Sequence, residues 1–207
     1  MNNRAHLRKL IRQRRQALSN AEQQQASQLL LQQLSVHTKI QQAQHIAIYL
    51  ANDGELNPEL FIQWCWQQNK HVYLPVIHPF SKGHLLFLHY TPQTVMVKNH
   101  YGISEPKLDV RHLCQVQQLD LLCTPLVAFD IKGARLGMGG GFYDRTLEKW
   151  YKQYLAKVQN PVKNTPLHSL YPIGIAHDCQ LVDKIPLEQW DIPLPEIITP
   201  TQHYFPR

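Results

Sequence analysis

The sequence predicts a three-layer α/β domain, in which helices cover both faces of a mostly parallel sheet. Apolar runs of strand length alternate along the chain with segments of helical periodicity. The clearest run, Ile46–Leu50, is bounded by polar residues, as in a strand that is buried on both faces. The 207 residues, 43% of them hydrophobic and 17% charged, are enough for one domain with a sizeable core.

Two helices are predicted at the start of the chain. The segment from Arg4 to Leu18 has an apolar residue at every third or fourth position, which indicates an amphipathic helix. Its six cations are Arg4, Arg8, Lys9, Arg12, Arg14 and Arg15. Such a run fits a solvated face as well as it fits a contact with an anionic ligand. Ser19 and Glu22 form a capping box, which predicts a second helix through about Leu34.

The first strand leads into a loop that ends at Glu55 and then into a predicted helix. This helix, Pro58–Asn69, has Asn57 as its N-cap and proline at its first position. The next predicted strand is His71–Pro75, so the order strand–helix–strand implies a right-handed parallel crossover. Ligands of such sheets bind in the loops at the carboxyl ends of the strands. Glu55 is therefore a candidate contact.

The later elements are predicted from shorter apolar runs between turn residues. The predicted strands are Leu85–Tyr90, Leu119–Cys123 with an extension at Leu126–Phe129, Tyr171–Ala176 and Glu196–Thr199. A helix is predicted from Phe142 onward. The predicted turns, loops and linker are His78–Gly83, Tyr101–Pro106, Asn160–Pro166 and Trp190–Pro195. No repeat or shift in composition marks a second domain, so we expect a single domain over residues 1–207.

The segment Arg135–Arg145 contains four of the nine glycines, at positions 137, 139, 140 and 141. Glycine admits positive φ and lets backbone N–H groups approach a ligand, and such loops before a helix hold anions. Two arginines and Asp144 flank the cluster, which suits a nucleotide triphosphate and its metal ion. The loop matches neither the Gly-Lys-Ser/Thr ending nor the G-x-G-x-x-G fingerprint of common phosphate sites. A glycine-rich surface turn is the alternative.

Composition limits the class of protein further. The formal net charge of +6 and the isoelectric point near 9.2 favour a polyanionic partner, either nucleic acid or a small molecule. The four cysteines are too far apart in sequence for C-x-x-C pairs, so we expect reduced thiols. No run approaches the ~20 apolar residues of a membrane span, and the N-terminus lacks the apolar core of a signal peptide. We expect a cytoplasmic protein without a membrane partner.

Several stretches in order along the chain together resemble the 5-formyltetrahydrofolate cyclo-ligase (5,10-methenyltetrahydrofolate synthetase) family. They are Arg4-x-x-x-Arg8, Tyr49-Leu50 with Gly54-Glu55, Tyr101-Gly-Ile-x-Glu-Pro106, Thr124-Pro-Leu-Val-Ala-Phe-Asp130, Arg135-Leu-Gly-x-Gly-x-Gly-x-Tyr-Asp144 and Asp191. The resemblance implies a Rossmann-like αβα sandwich. It also implies conversion of 5-formyltetrahydrofolate to 5,10-methenyltetrahydrofolate with ATP and Mg²⁺, through phosphorylation of the formyl oxygen and release of ADP and phosphate.

The resemblance also implies roles for individual residues. The residues implied to bind ATP are Arg4, Arg8, Arg135, Leu136, Gly137, Met138, Gly139, Gly140, Gly141, Phe142 and Tyr143. Those implied to bind the folate are Leu50, Glu55, Met138, Gly139, Gly140, Gly141 and Phe142. Arg135, Tyr143 and Asp144 would be catalytic, and Asp144 and Asp191 would hold Mg²⁺. Asp178 and Asp183 remain alternatives to Asp191 as the second metal ligand.

Two positions depart from the family pattern. Arg4 stands where lysine is usual, and a planar guanidinium does not replace a point charge in every contact. Gly140 stands where a basic residue is frequent, so Arg135, Arg145 or the N-terminal cations would compensate. The rival interpretations are a basic nucleic-acid-binding module and another ATP-dependent kinase or ligase. We expect ATP and 5-formyltetrahydrofolate as partners of a monomer, and no specific nucleic acid, since no recognisable binding motif is present.

Overall fold

The computed structural model describes residues 3–159 and 170–206, and the linker predicted at Asn160–Pro166 lies outside these ranges. The α-helices in the described part are α1 Asn3–Gln16, α2 Asn20–Ser35, α3 Thr38–Gln42, α4 Glu59–Gln67 and α5 Phe142–Gln159. The strands there are β1 His45–Ala47, β2 His71–Ile77, β3 Leu85–Tyr90, β4 Met96–Lys98, β5 Ser104–Pro106, β6 Leu113–Cys114, β7 Leu121–Pro125, β8 Ala128–Phe129, β9 Arg135–Leu136, β10 Tyr171–Ile175, β11 Ile197–Ile198 and β12 His203–Tyr204.

The main sheet has the strand order β12-β11-β10-β7-β1-β2-β3-β6. The five strands from β11 to β2 are parallel to one another, and β12, β3 and β6 are antiparallel to their neighbours. Strands β1 and β2 are parallel neighbours joined by α4, as the strand–helix–strand pattern predicts. The prediction of a mostly parallel sheet is confirmed.

Helices cover both faces of this sheet because most side chains of its central strands are apolar and buried on both faces. On β1, Ile46 packs in a core with residues of α2, α3 and α4, whereas its neighbour Ala47 packs in a second core with Leu147 and Trp150 of α5. Successive side chains of a strand point to opposite faces, so the two cores are the two layers on either side of the sheet. The three-layer architecture follows.

Helix α1 packs on a small hairpin rather than on the central strands. Ile11 is fully buried and lies in a third cluster with Val127, Ala128 and Leu136, which belong to or adjoin β8 and β9. The hairpin follows β7, so α1 crosses the carboxyl edge of the parallel sheet. This places the basic helix beside the loops in which such sheets bind ligands.

Three predicted elements differ in the structure. The turn predicted at Tyr101–Pro106 includes β5, which pairs with β4, a strand that lacked a clear apolar run. The extension predicted at Leu126–Phe129 does not continue β7; the chain leaves the sheet after Pro125 and forms the β8–β9 hairpin. Helix α4 begins at Glu59, whose backbone N–H donates to Asn57 Oδ1 at 3.0 Å. The capping box at Ser19 and Glu22 is confirmed.

No helix among residues 3–159 and 170–206 combines the length and the apolar character that crossing a bilayer requires.

Candidate active site

The predicted site residues meet at the carboxyl edge of the parallel sheet. Glu55 lies in the loop after β1, and the glycine loop, Gly137–Gly141, follows the β8–β9 hairpin that comes after β7. Arg4 and Arg8 reach this edge from α1, and Asp191 reaches it from the segment before β11. The structure therefore brings together residues that are as much as 187 positions apart.

The glycine loop is an exposed turn between β9 and α5. Residues 137–140 are exposed, and α5 begins immediately afterwards at Phe142. Gly139 has a φ of +103° and Gly141 has a φ of +66°. Residues other than glycine rarely adopt such positive φ values. A bare, exposed backbone at the start of a helix is the arrangement that holds phosphate oxygens.

The structure gives a reason for glycine at position 140. A Cβ atom there would lie 2.6 Å from Cε2 of Phe142, which is closer than side-chain carbons approach one another. The Phe142 ring thus occupies the place of the basic side chain expected from the family pattern. At position 141, a Cβ would lie 3.0 Å from Nη1 of Arg145. The positive φ at positions 139 and 141, together with the close approach of Phe142 to position 140, favours consecutive glycines in this loop.

Two arginines hold the loop from opposite directions. Arg8 Nε donates to the carbonyl oxygen of Gly137 at 2.8 Å, and Arg145 Nη1 donates to that of Gly140 at 2.7 Å. The guanidinium of Arg8 also lies beside Gly139, with Nη2 3.7 Å from the position of a Cβ. Both cations are therefore next to the exposed backbone where an anion would bind.

Arg4 binds the carboxylate of Asp191. Its terminal nitrogens donate to both oxygens of Asp191, at 2.5 and 3.0 Å, and Nη1 also donates to the carbonyl oxygen of Pro186 at 3.1 Å. Burial of Asp191 opposes its ionisation, but the hydrogen bonds from Arg4 and from the backbone of Glu188 outweigh this effect, and the pKa of Asp191 is lowered. The pair is a bidentate ion pair of the stronger kind.

Arg135 forms a second ion pair beside the first. The Arg135 side chain is 4% exposed; Nη2 donates to Asp144 Oδ1 at 2.8 Å, and Nη1 donates to the carbonyl oxygen of Ile192. Asp144 Oδ1 also accepts from the backbone N–H of Ile192 at 3.3 Å. Ile192 directly follows Asp191 in the chain, so its backbone connects Asp144 with the segment that carries Asp191.

The two carboxylates lie within electrostatic reach of the same cations. The hydrogen bond with Asp191 raises the pKa of Arg4, and the charge of Asp144 adds to this rise. Burial lowers the pKa of Arg135, and the charges of Asp144 and Asp191 oppose that change. By contrast, Asp178 accepts a hydrogen bond from Thr201 Oγ1 at 2.7 Å. Asp191 is thus a better companion for Asp144 than Asp178 is.

Glu55 is partly buried within electrostatic reach of Tyr49 and Tyr143. Its side chain is 16% exposed, and burial raises its pKa to about 7, although Arg15 and the backbone N–H of Asn52 oppose the rise. Burial also raises the pKa of Tyr143, and the charge of Glu55 contributes to this shift. Glu55 and Tyr143 are therefore within electrostatic reach of each other. Leu50, also predicted to face the folate, is half-buried beyond β1.

The structure reveals a supporting network that sequence reasoning missed. Asp53 has a φ of +53° and accepts from Arg12 Nε at 2.6 Å, from Arg15 Nη2 at 2.7 Å and from Gln16 Nε2. The hydrogen bond from Arg12 lowers the pKa of Asp53 to about 2, and Arg15 adds to the shift against the opposing effect of burial. The Arg15 side chain is fully buried, with Nη1 4.0 Å from Glu55 Oε1.

The signal for this network is the spacing of the arginines on α1. Arg4, Arg8 and Arg12 are four residues apart and Arg15 follows three residues later, which puts all of them on one face of a helix. Each has a partner in the structure: Asp191 for Arg4, Gly137 for Arg8 and Asp53 for both Arg12 and Arg15. The basic face organises the site, which weakens the nucleic-acid interpretation of its charge.

Comparison with known proteins gives the family. The model of the 5-formyltetrahydrofolate cyclo-ligase family matches residues 1–200. The chain is 48% identical over 193 residues to a 5-formyltetrahydrofolate cyclo-ligase of Escherichia coli strain K12, covering 93% of this chain and 98% of the relative. It is 46% identical over 195 residues to the protein of that name from Haemophilus influenzae, covering 94% of this chain and 96% of the relative.

Solved structures have the same fold. A 5,10-methenyltetrahydrofolate synthetase from Aquifex aeolicus superimposes with a TM-score of 0.78 at 23% identity, over 99% of this chain and 93% of that one. A 5,10-methenyltetrahydrofolate synthetase from Mycoplasma pneumoniae gives a TM-score of 0.69 at 24% identity, over 96% and 99% of the two chains. The family match spans the glycine loop, both ion pairs and Glu55. This chain is an enzyme of the 5-formyltetrahydrofolate cyclo-ligase family.

Proposed function

We propose that the enzyme converts 5-formyltetrahydrofolate to 5,10-methenyltetrahydrofolate with consumption of ATP in the presence of Mg²⁺, releasing ADP and phosphate. The observation that carries the proposal is the meeting of three features at one sheet edge. They are an exposed glycine loop between two arginines, two carboxylates paired with arginines, and a buried Glu55. The first two features suit a triphosphate with its metal ion, and the third suits a pterin.

The chemistry requires that the formyl oxygen leave from carbon. Hydroxide is a poor leaving group, whereas phosphate is a good one. In the proposed reaction, the formyl oxygen attacks the γ-phosphorus of ATP and ADP departs. The neighbouring folate nitrogen then attacks the formyl carbon and loses its proton, and the carbon–oxygen bond breaks to release phosphate. Phosphoryl transfer of this kind depends mainly on positioning and charge neutralisation.

The arginines supply the positioning and the positive charge. Arg8 already touches the loop carbonyl of Gly137, so its terminal nitrogens are placed to contact a phosphate that lies on the loop backbone. Arg4 and Arg135 have planar donor groups that recognise carboxylate and phosphate oxygens in the same way. In the proposed complex with ATP, both would exchange a carboxylate partner for phosphate oxygens. Residues 135–143 would enclose the triphosphate.

The same exchange would free Asp144 and Asp191. Two carboxylates of this kind fit Mg²⁺, which binds proteins through one or two carboxylates and completes its shell with water and substrate phosphates. When bound, Mg²⁺ would neutralise charge on the transferred phosphoryl group. Two observations support a shared site for these carboxylates. The backbone N–H of Ile192, the residue after Asp191, donates to Asp144, and both carboxylates affect the pKa values of Arg4 and Arg135.

The folate would lie on the other side of the glycine loop. Glu55, when ionised, can accept the paired donors of a pterin ring, and Leu50 and the segment Met138–Phe142 would contact the rest of the ring system. The partly buried Tyr143 is within electrostatic reach of both Glu55 and Arg135, since the charges of both affect its pKa. This supports a position for Tyr143 near the point where the two substrates would meet. We further propose that the enzyme acts as a single-domain monomer in the cytoplasm.

The experiment uses purified enzyme with 5-formyltetrahydrofolate, ATP and Mg²⁺. We expect the absorbance of the methenyl product to rise at the same rate as ADP is released, and both to stop when Mg²⁺ is chelated. Omission of the folate should abolish ADP release. Product formation without ATP would contradict the proposal. ADP release at the same rate with and without the folate would also contradict it and would favour another ATP-dependent reaction.

A further inference from the structure

Three side chains near the end of the sheet form a compact group that the proposed reaction does not use. They are His37, Glu196 and His203, and one donor atom from each lies within 4.8 Å of the other two. His37 Nε2 is 3.1 Å from both oxygens of Glu196, and His203 Nδ1 is 3.1 Å from Oε1. Glu196 is completely buried, whereas the histidine side chains are 12% and 22% exposed.

The fold explains why these residues converge. Glu196 directly precedes β11, and His203 pairs with Ile198 across the β11–β12 ladder. Alternate residues on a strand share a face with their cross-strand partners, so Glu196 and His203 project from the same face as Ile198. Ile198 packs in the core formed with α2, and His37 lies just after α2 at the N-cap of α3. The helix therefore brings His37 onto the hairpin.

Gln33 determines how the His203 ring is oriented. The side-chain nitrogen of Gln33 donates to the carbonyl oxygen of Pro200 at 3.4 Å, so its oxygen faces His203 Nε2, at 2.8 Å. An amide oxygen only accepts, so Nε2 carries a proton, and in a neutral ring Nδ1 presents its lone pair to the carboxylate of Glu196. A lone pair facing a carboxylate at 3.1 Å is repulsive unless a positive charge lies between them.

The other histidine of the group, His37, also directs a ring nitrogen at Glu196. Its Nε2 atom is 3.1 Å from both carboxylate oxygens. Its Nδ1 atom is buried and has no hydrogen-bond partner within the described ranges, 3–159 and 170–206. Since nothing donates to Nδ1, only the carboxylate holds the ring in the tautomer with its proton on Nε2. An ion bound between Nε2 and Glu196 would replace that proton, which would then lie on Nδ1.

We propose that His37, Glu196 and His203 bind a divalent transition metal ion, for which zinc is the best match. Zinc accepts imidazole nitrogen and carboxylate oxygen at about 2.0–2.2 Å, so two ligands of a tetrahedral site lie about 3.3 Å apart. The separations of 3.1 Å between donor atoms are close to this value. Mg²⁺ and Ca²⁺ prefer all-oxygen sites and fit two imidazoles poorly. Water would take the fourth position, from the partly exposed side.

The ion would join two parts of the fold that are distant in sequence. His37 lies at the α2–α3 junction, and Glu196 and His203 flank β11 near the C-terminus, so coordination would fasten the terminal hairpin to the helical layer. Gln33 would not touch the ion but would orient His203 through its hydrogen bond to Nε2. The group shares no side chain with the candidate active site, so metal binding here can be measured independently of catalysis.

The test uses full-length enzyme freed of metal with a chelator and titrated with Zn²⁺ against a chromophoric competitor. We expect one zinc ion per chain and a rise in the melting temperature with Zn²⁺ concentration. His203→Asn should weaken binding by more than about 100-fold, and Gln33→Leu by about 10–100-fold, as for other outer-shell partners. The matched control is His71→Asn, which removes a ring stacked 5.0 Å from His45 in a separate histidine group and should leave zinc affinity unchanged.

X-ray absorption of the wild-type zinc complex provides a measurement that does not depend on folding of the variants. It should show nitrogen and oxygen neighbours, with the signature of two imidazoles. A shell of sulfur neighbours at about 2.3 Å would place zinc on cysteine and overturn the proposal. Binding that survives His203→Asn, or no binding at micromolar Zn²⁺ together with an imidazolium form of His203 by NMR, would also overturn it, since a proton then serves where we place the metal.

Discussion

At the level of single residues, the charged side chains of the site pair with one another. Arg4 holds Asp191 and Arg135 holds Asp144, so cations that suit phosphate and carboxylates that suit Mg²⁺ satisfy one another in the unliganded enzyme. A buried charge without a partner costs several kcal/mol, which explains why the four groups occur together. Binding of ATP with its metal ion would replace two internal pairs by four contacts with the ligand.

This exchange makes Asp144→Asn informative. The amide oxygen still accepts from Arg135, so the fold should persist, but its neutral oxygen is a weaker ligand for Mg²⁺. We predict a fall in turnover of about 100-fold or more at saturating substrates. The variant should stay folded but with a lower unfolding midpoint, because the buried Arg135 loses its charged partner. The control is Asp183→Asn, at an exposed alternative position, which should retain activity. Normal turnover by Asp144→Asn would remove its assigned metal role.

Glu55 should give the enzyme a pH dependence in folate binding. Its pKa of about 7 in the folded protein lies above the ordinary value of 4.5, because burial penalises the charged form. Its ionisation therefore costs stability as the pH rises toward 7, and the cost is absent below about 4.5. In the proposed complex the pterin binds the ionised form of Glu55, so the Michaelis constant for the folate should be about tenfold higher at pH 6 than at pH 8.

Steady-state kinetics at saturating ATP across this range would measure the effect. Glu55→Gln cannot ionise, so its Michaelis constant should be higher and independent of pH between 6 and 8. A variant that keeps the wild-type pH profile would show that another group is responsible.

Among the secondary-structure elements, α1 lies across the carboxyl edge of the sheet and connects the parts of the site. Its apolar stripe packs Ile11 on the β8–β9 hairpin, and its basic face contacts three separate segments. Arg8 reaches the glycine loop, Arg4 reaches Asp191, and the Arg12–Arg15 pair reaches Asp53. One helix therefore sets the relative positions of the proposed ATP and folate sides.

Replacement of Arg8 should affect the binding of ATP more than the binding of the folate. Arg8→Ala removes a charged hydrogen-bond donor next to the glycine loop, and we predict a rise of about tenfold in the Michaelis constant for ATP. The constant for the folate should change less. Arg14→Ala, at an exposed position of the same helix, is the matched control and should leave both constants unchanged. If the folate constant rose more than the ATP constant, α1 would have to be reassigned to the folate side.

The network around Asp53 should matter for stability. Asp53→Asn tolerates the positive φ but removes the charge opposite the buried Arg15, so we predict a loss of about 3 kcal/mol in the free energy of unfolding by urea. Asp109→Asn, which breaks an exposed pair with Arg111, should cost much less, because solvent screens such a pair. Equal losses in the two variants would contradict the structural role of Asp53.

The pKa of Asp53 sets the pH range of this contribution. Its value of about 2 lies below the ordinary 3.8, so the stabilisation is present above about pH 4 and is lost as the pH falls toward 2. The difference in stability between wild type and Asp53→Asn should therefore shrink over this interval.

At the scale of the whole molecule, the sequence was sufficient for the class of fold. The buried strands are continuous apolar runs, which is why the parallel centre of the sheet could be predicted. Strands β4 and β5 and the β8–β9 hairpin could not, since each has only two or three residues and no periodicity to detect.

The residues of the candidate site could be predicted from the sequence, but the ion pairs between them could not. Motifs identify Arg4, Arg8, Glu55, Asp144 and Asp191, but no local pattern indicates which cation faces which carboxylate. The pairings of Arg4 with Asp191 and of Arg12 and Arg15 with Asp53 join residues that are 187, 41 and 38 positions apart. Only the three-dimensional structure provides that information.

In the proposed reaction, phosphoryl transfer to the formyl oxygen activates the formyl carbon. This step can be tested with 5-formyltetrahydrofolate labelled with ¹⁸O in the formyl group, with ATP and Mg²⁺, under single-turnover conditions. We expect the label to appear in the released phosphate, one atom for each methenyl product formed. Label that appears in water while the phosphate stays unlabelled would contradict it.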